Sequence, residues 1–496
     1  MKQRITFLVK DPDSFTPEKL EVKDESLAMS AVEAVKEHRF TISLDELPAG
    51  LRRTLKQWNV LHIKWVSPNP YTTVPPFTSR ATPGLHVFFS SHKNETQSHL
   101  CSLLHSTFGK ELKCSRASPA EEVATPLFYA EEAERADAEN QYFSYLPSLD
   151  GFVANIQEKI CPQSSKTCRQ DLQTLLKASY FDIDYSSTST SIVLTAFFDS
   201  PPGGWTEDIL KPSGVHTIEV GVLTHEPNPD PEDIAFGGFL TMLGRDTAPK
   251  ATRFQTPTLH YPLSSSLSYT TSFQHPTGLH PTLQLSFASA KDLSPPDASC
   301  RLHTHLTLPS YLFIDQYQFS DSLFLSSHRL RALANISGAT DLEAPDWVIP
   351  QWGSSALFEI AHPGPDSPIP AGPWNVSIPM HLRYLPAQVA SHARVPVAWP
   401  VVFWACDAEQ DGRGNPFDRR NLGYEGAFGD GVRFMHVPPA QGAELVEWID
   451  VPVLDIRATG WVETGTIGVV VAAFLGLCWV LFAGGRKTKG DEKKKQ

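Results

Sequence analysis

Thr464 to Ala483 reads TGTIGVVVAAFLGLCWVLFA, twenty residues without a charge, and Gly484-Gly485-Arg486-Lys487 follows at once. A helix of that length spans about 30 Å, the hydrocarbon thickness of a bilayer. A stretch of about 10–14 apolar residues would equally suit a buried core helix. This one is longer and ends in a basic cluster. It predicts one transmembrane helix at 464–483, a large water-soluble domain before it, and a short tail at 484–496.

The charges predict an orientation. The tail carries six basic and two acidic residues, net +4, so with −13 overall the rest of the chain carries −17. Lys and Arg beside a span stay cytosolic, which puts the large domain on the lumenal side. The N-terminus carries only a five-residue apolar run, Ile5 to Val9, too short for the core of a signal peptide. A tail anchor would instead leave the domain in the cytosol. Three features oppose that. The tail is basic, N-x-S/T sequons stand at Asn94, Asn335 and Asn375, and six of the seven cysteines lie outside the span. Lys493 and Lys494, third and fourth from the end, resemble a dilysine signal that returns type I membrane proteins to the endoplasmic reticulum. The plainer alternative is a basic tail resting on anionic lipid.

Composition bounds the soluble part. Some 460 residues exceed one ordinary core and predict two or three domains. Pro is abundant at 41 residues, and short alternating runs lie between Pro, Gly, Ser and Asp clusters. Pro breaks helices and suits turns and strand edges. The fold class is therefore mostly β: lumenal β-sandwich-like domains followed by a single C-terminal transmembrane helix. The acidity of the large domain argues against nucleic acid or an anionic membrane as a partner of its surface.

Along the chain, 1–115 reads as an N-terminal α+β or β domain. Ile5–Val9, Leu61–Trp65 and Leu85–Phe89 have strand character, and Asp45–Trp58 has helical leucine spacing behind an Asp cap. Residues 116–141 are acidic and Ala-rich, an exposed helix or a linker. A β-rich middle domain covers 142–278, with two strands in Tyr180–Phe198 and an alternating strand at Val215–Thr224. The segment 279–454 is the most strand-like. Leu283–Phe287 and Arg301–Leu308 alternate, and Val395–Ala405 reads as one buried strand with two Pro, at an edge or a bulge.

Three stretches of that segment are similar to a known family. Leu308–Tyr317 (LPSYLFIDQY) resembles the LP…F-x-D-x-Y segment of PIG-X proteins. Pro379–Tyr384 (PMHLRY) resembles their P-x-H-x-R-Y segment, and Val397–Cys406 their V-x-x-P…W-x-C strand. With the span, the resemblance runs over 279–483, and the N-terminal half looks like the extension of fungal-type members. It implies a PIG-X-like β-sandwich at 279–454. It further implies a single-pass protein of the endoplasmic reticulum, the stabilising, non-catalytic subunit of the mannosyltransferase that adds the first mannose in glycosylphosphatidylinositol anchor biosynthesis. The implied partners are the polytopic catalytic subunit of that enzyme, mannosyltransferase I, and membrane lipid.

The chemistry-bearing motifs agree with a non-enzyme. Asp182-Ile183-Asp184 spells the DxD of metal-dependent glycosyltransferases. Phe181 and Ile183 alternate with the acids, so an exposed strand face also explains it, and a polyprenyl-donor transferase needs many spans. Asp407 to Asp418 places acids like a calcium loop, but a strand precedes it and Pro416 sits inside. A polar hairpin loop is the plainer reading. His303 and His305 share a strand face without a marked third ligand, which suits a sheet surface. No catalytic residue, metal site or cofactor is expected. Cys101 with Cys114, Cys161 with Cys168 and Cys300 with Cys406 is one of 15 possible pairings of the six.

Gly468, Ala472 and Gly476 recur at four-residue spacing and offer a partner helix a close approach. Small residues are also simply common in membrane helices. Two further functional classes stay open: a general lumenal chaperone or quality-control adaptor, and a cell-surface receptor.

Overall fold

Apolar residues alternate with polar ones through most of the chain, and the chain answers with strands. The computed structural model describes residues 1–483 apart from 92–99, 115–117, 129–138, 162–165, 212–216, 229–232, 264–266, 364–371, 409–414, 416, 418–420 and 430. Three layers of sheet follow one another, and one long helix closes the described chain.

The largest sheet has eleven strands. From one edge they run Lys250–Pro257, Asp233–Met242, Thr217–Glu226, Lys2–Val9, Ala34–Ser43, Ser191–Phe198, Tyr180–Ser186, Trp58–Val66, Gly84–Ser91, Asn140–Ser144 and Thr125–Pro126. Neighbours are antiparallel except Lys2–Val9 with Thr217–Glu226. Strands expected in separate units, 1–115 and 142–278, alternate within it. Ala34–Ser43 lies against Ser191–Phe198, and Trp58–Val66 against Tyr180–Ser186. The boundary expected at 116–141 is thus not a boundary of the sheet. Strand edges left open by the first hundred residues need hydrogen-bond partners, and later strands supply them.

Period two sorts this sheet's side chains. Ile5, Phe7 and Val9 pack on Leu27, Met29 and Val32 of a three-stranded sheet, formed by Leu20–Lys23, Ser26–Val32 and Trp205–Leu210. Further along the same face, Leu61, Ile63 and Trp65 lie under the helices Leu100–Thr107 and Asp150–Ile160. The opposite face carries Leu8, Val35, Tyr180 and Phe197. These meet Leu357, Val401, Phe403 and Phe434 of the second layer.

That second layer is a six-stranded sheet in the order His260–Pro262, Val432–Val437, Val401–Asp407, Arg301–Pro309, Gly353–Ile360, Leu330–Gly338. Its far face, with Leu302, Leu306, Phe358 and Trp404, shares a core with Leu283, Leu285, Val376 and Ile378. Those belong to a third layer of Tyr269–Phe273, Thr282–Phe287 and Trp374–Pro379. Two sheets closing on one core make a sandwich. A strand buried on both faces reads as an unbroken apolar run, as Val401–Ala405 does.

Two local expectations change. Val395–Ala405 is two strands, His392–Ala398 and Val401–Asp407, and they sit in different sheets. Pro400 falls in the break, where a residue without an N–H costs no ladder bond. The expected helix at 45–58 is a short turn, Leu44–Glu46, and a seven-residue helix, Ala49–Leu55, split around Pro48.

The last helix runs Thr459–Ala483, five residues longer at its start than the apolar run. It is long and apolar enough to cross a membrane, and none of its most apolar stretch is buried against the rest of the chain.

Candidate functional site

Two of the motif stretches are neighbours in space. Leu312–Phe313 pairs antiparallel with His381–Leu382, Leu312 opposite Leu382 and Phe313 opposite His381. Both leucines point into the sandwich core. The next residue, Arg383, is buried. Its backbone N–H donates to Tyr311 O at 2.9 Å. Its guanidinium donates to Ser310 O at 3.0 Å, Ala344 O at 2.8 Å and Ala339 O at 3.1 Å, and also to Asp341 O. The planar fork suits this role, because it carries five donors and no other side chain reaches four carbonyls at once. Burial pushes the Arg383 pKa below the usual arginine value, opposed by the carboxylates of Asp341 and Asp346.

The knot extends both ways along the chain. Ser310 Oγ donates to Asp346 Oδ1 at 2.6 Å, and Lys113 Nζ reaches Asp346 Oδ2 at 2.5 Å. Tyr311 Oη donates to the carbonyl of Pro396, inside the strand that leads to the third motif. Arg383 and Asp346 therefore tie the 310s loop, the 340s loop and the N-terminal half together. This is a positioning centre. Its polar atoms are turned inward onto backbone carbonyls.

The DxD acids lie elsewhere, and they are not on an exposed strand face. Asp182 is fully buried, between the first two layers. Lys64 Nζ lies 2.8 and 3.2 Å from its two carboxylate oxygens and 4.6 Å over the Tyr180 ring. Burial pushes Asp182 up, and the Lys64 charge only partly offsets it. Half-exposed Asp184 meets His62 Nδ1 in a short contact. Burial would lower the His62 pKa, but the carboxylates of Asp184 and Asp182 together outweigh it and leave His62 above its ordinary value. Burial likewise raises Asp184, and the imidazolium overrides it and holds the acid low. A metal-binding DxD must turn both carboxylates on a cation. Here each is committed to a side chain of the neighbouring strand.

His303 and His305 also leave the surface. Both are buried against the first layer, where His305 Nε2 meets Ser355 Oγ at 2.7 Å and His303 Nδ1 meets Arg301 O at 3.0 Å. Burial drives the His305 pKa down to about 3. A six-stranded sheet used as a middle layer has no surface face, which the alternation of one strand cannot reveal. Asp407 ends its strand exposed, with its N–H on Ser299 Oγ at 3.1 Å. Glu409, Asp411, Gly412 and Asp418 of the calcium-like loop lie outside the described residues.

Asn335 and Asn375 both sit half-buried on edge strands, of the six-stranded and the third-layer sheet. Asn94, Lys493 and Lys494 lie outside the described residues. Disulfides join Cys101 to Cys114, Cys161 to Cys168 and Cys300 to Cys406, the last with its Cα atoms 4.0 Å apart in the sandwich core. Gly468, Ala472 and Gly476 lie on the exposed C-terminal helix. A Cβ added at Gly468 or Gly476 would meet nothing within 4 Å.

One buried polar pair carried no mark in the motifs. His260 Nδ1 lies 2.9 Å from His436 Nε2 across a parallel strand pair, with Glu425 3.4 Å from the other nitrogen of His260. The Lys64–Asp182 pair had one usable signal. His62-x-Lys64 and Asp182-x-Asp184 are opposite charge patterns at the same period, the mark of facing strands.

Comparison with known proteins bears on the motif region and beyond it. The family model described as PIG-X / PBN1 matches residues 276–482. Protein pbn1 of Emericella nidulans is 41% identical over 97% of this chain and 95% of its own length. Protein pbn1 of Aspergillus fumigatus is 41% identical over 97% and 94%, and that of Neurospora crassa 37% over 97% and 95%. With relatives this similar along nearly their whole length, and Arg383 with its carbonyl partners lying inside the matched region, the chain belongs to the PIG-X / PBN1 family.

Proposed function

We propose that this chain is a non-catalytic, stabilising subunit of the mannosyltransferase that adds the first mannose during glycosylphosphatidylinositol anchor biosynthesis. In this reading Thr459–Ala483 spans the membrane of the endoplasmic reticulum. The sheet layers lie in the lumen and residues 484–496 in the cytosol. The observation that carries the reading is that the PIG-X / PBN1 match at 276–482 takes in most strands of the sandwich together with the apolar helix. Three disulfides suit an oxidising compartment. Committed acids at Asp182 and Asp184 speak against sugar-phosphate chemistry through them.

The physical mechanism is mass action. A partner that binds only the native form of a multispan enzyme raises that form's population. Gly468, Ala472 and Gly476 give the partner's helix a low ridge to approach. The test is to deplete this protein and follow the catalytic subunit. Its selective loss supports the proposal. Loss of many unrelated lumenal proteins points to a general chaperone, and an unchanged catalytic subunit contradicts the proposal. Gly468→Leu with Gly476→Leu should reduce recovery of the enzyme in mild detergent.

A further inference from the structure

The helix is longer than a hydrocarbon core requires. The helical segment that contains the apolar run extends from Ile456 to Phe482, 27 residues. At 1.5 Å per residue that is about 40 Å, the hydrocarbon plus the headgroup layers. If the segment spans a membrane, Ile456 stands in the outer headgroup layer, and what is fixed to Ile456 stands there too.

What is fixed to it is apolar and exposed. Gln388 brackets the approach to the helix, its N–H donating to Leu454 O at 3.1 Å and its carbonyl accepting from Ile456 N at 3.0 Å. Val389 follows directly and is 68% exposed. Five residues before Val389 lies Tyr384, 64% exposed, whose carbonyl accepts from Asp346 N at 3.1 Å. Trp347 and Val348 continue from Asp346 and are 59% and 60% exposed. Leu454 and Ile456 are exposed as well. Arg383, beside Tyr384, is held by carbonyls on both sides and cannot let this rim drift. An apolar rim of this kind, fixed by buried polar bonds, marks an interaction surface. Trp and Tyr beside a span are the residues that settle at the headgroup level, and Trp461, 85% exposed, adds a third in the helix's first turn.

We propose that this rim docks on the lipid headgroup layer itself, seating the β layers upright on the bilayer. The proposal rests on the membrane-spanning reading above. Its occupant is lipid because the rim is continuous with the helix that lipid surrounds.

The test uses the full chain in phosphatidylcholine nanodiscs, with Cys478→Ser as background and one spin label at a time. The sites are Trp347→Cys, Val389→Cys, Val471→Cys in mid-helix, and Leu210→Cys as an exposed site on the first layer's outer sheet. Collision with oxygen and with a water-soluble nickel chelate reads depth. The expected result is a several-fold drop in nickel collisions at 347 and 389 relative to 210, with 471 the most protected. Labels at 347 and 389 as accessible as 210, with 471 protected, overturn the docking and leave the span standing. Protection that appears only after the catalytic subunit is added assigns the rim to a protein and also overturns it. An accessible 471 overturns the span and the docking together.

Discussion

Arg383 lies with its guanidinium 4.2 Å from the ring centre of Phe313, on the strand that pairs with the two residues just before Arg383. The contact joins two stretches some seventy residues apart and explains why both are motifs. Phe313 offers its π-face, and the carbonyls around the guanidinium take four of the fork's five N–H groups.

Lysine keeps the charge at this position and loses the fork. Arg383→Lys leaves buried carbonyls unpaired, each worth about 1–3 kcal/mol. The variant is expected to lower the thermal midpoint of the detergent-solubilised chain by several degrees, and Arg383→Met by more. Thermal unfolding followed by tryptophan fluorescence checks both.

The His62–Asp184 contact predicts a pH window. His62 is raised above 6.5, so its contribution is complete below that value and is lost as pH rises through the raised pKa. Asp184 is held below 3.8, so its contribution is complete above that value and is lost as pH falls through the lowered pKa. Asp184→Asn should therefore destabilise most between these limits. Because Asp184 is half open to water, the expected loss is about 1 kcal/mol. Denaturant midpoints for both proteins, measured from pH 4 to pH 9 (roughly the span of the two ordinary pKa values and beyond), should converge at alkaline pH.

Removing Cys300–Cys406 should harm stability far more than removing Cys161–Cys168. The first closes a loop of 106 residues in the core, the second one of 7 at the periphery. Chain entropy alone assigns the longer loop about 4–5 kcal/mol. Paired Cys→Ala variants compared by thermal unfolding check the order.

Asn335 and Asn375 are expected to carry glycans if the β layers are lumenal. Endoglycosidase digestion of the expressed protein should shift its mobility and show high-mannose chains. Asn335→Gln and Asn375→Gln should each remove part of the shift.

Much of this was legible in the residues. Thr464–Ala483 is apolar enough to name its helix, and Leu283–Phe287 and Arg301–Leu308 alternate as they fold. What stayed hidden was assembly. Alternation says that Asp182 and His303 have a face, but only the packing of a second sheet over the first buries that face. Ala34–Ser43 holds no sign that its neighbour will be Ser191–Phe198, because backbone hydrogen bonds carry no side-chain address. Pro400 was visible as a breaker, yet the sheet change it permits depends on partners far along the chain. The Arg383 knot was half legible. Its two motifs were seen, but not that they pair.

The most direct measurement is transfer of the first mannose in microsomes onto the precursor of the glycosylphosphatidylinositol anchor. Depleting this protein should abolish the transfer, and restoring it together with the catalytic subunit should bring it back where either alone does not. Undiminished transfer in fully depleted microsomes would contradict the account.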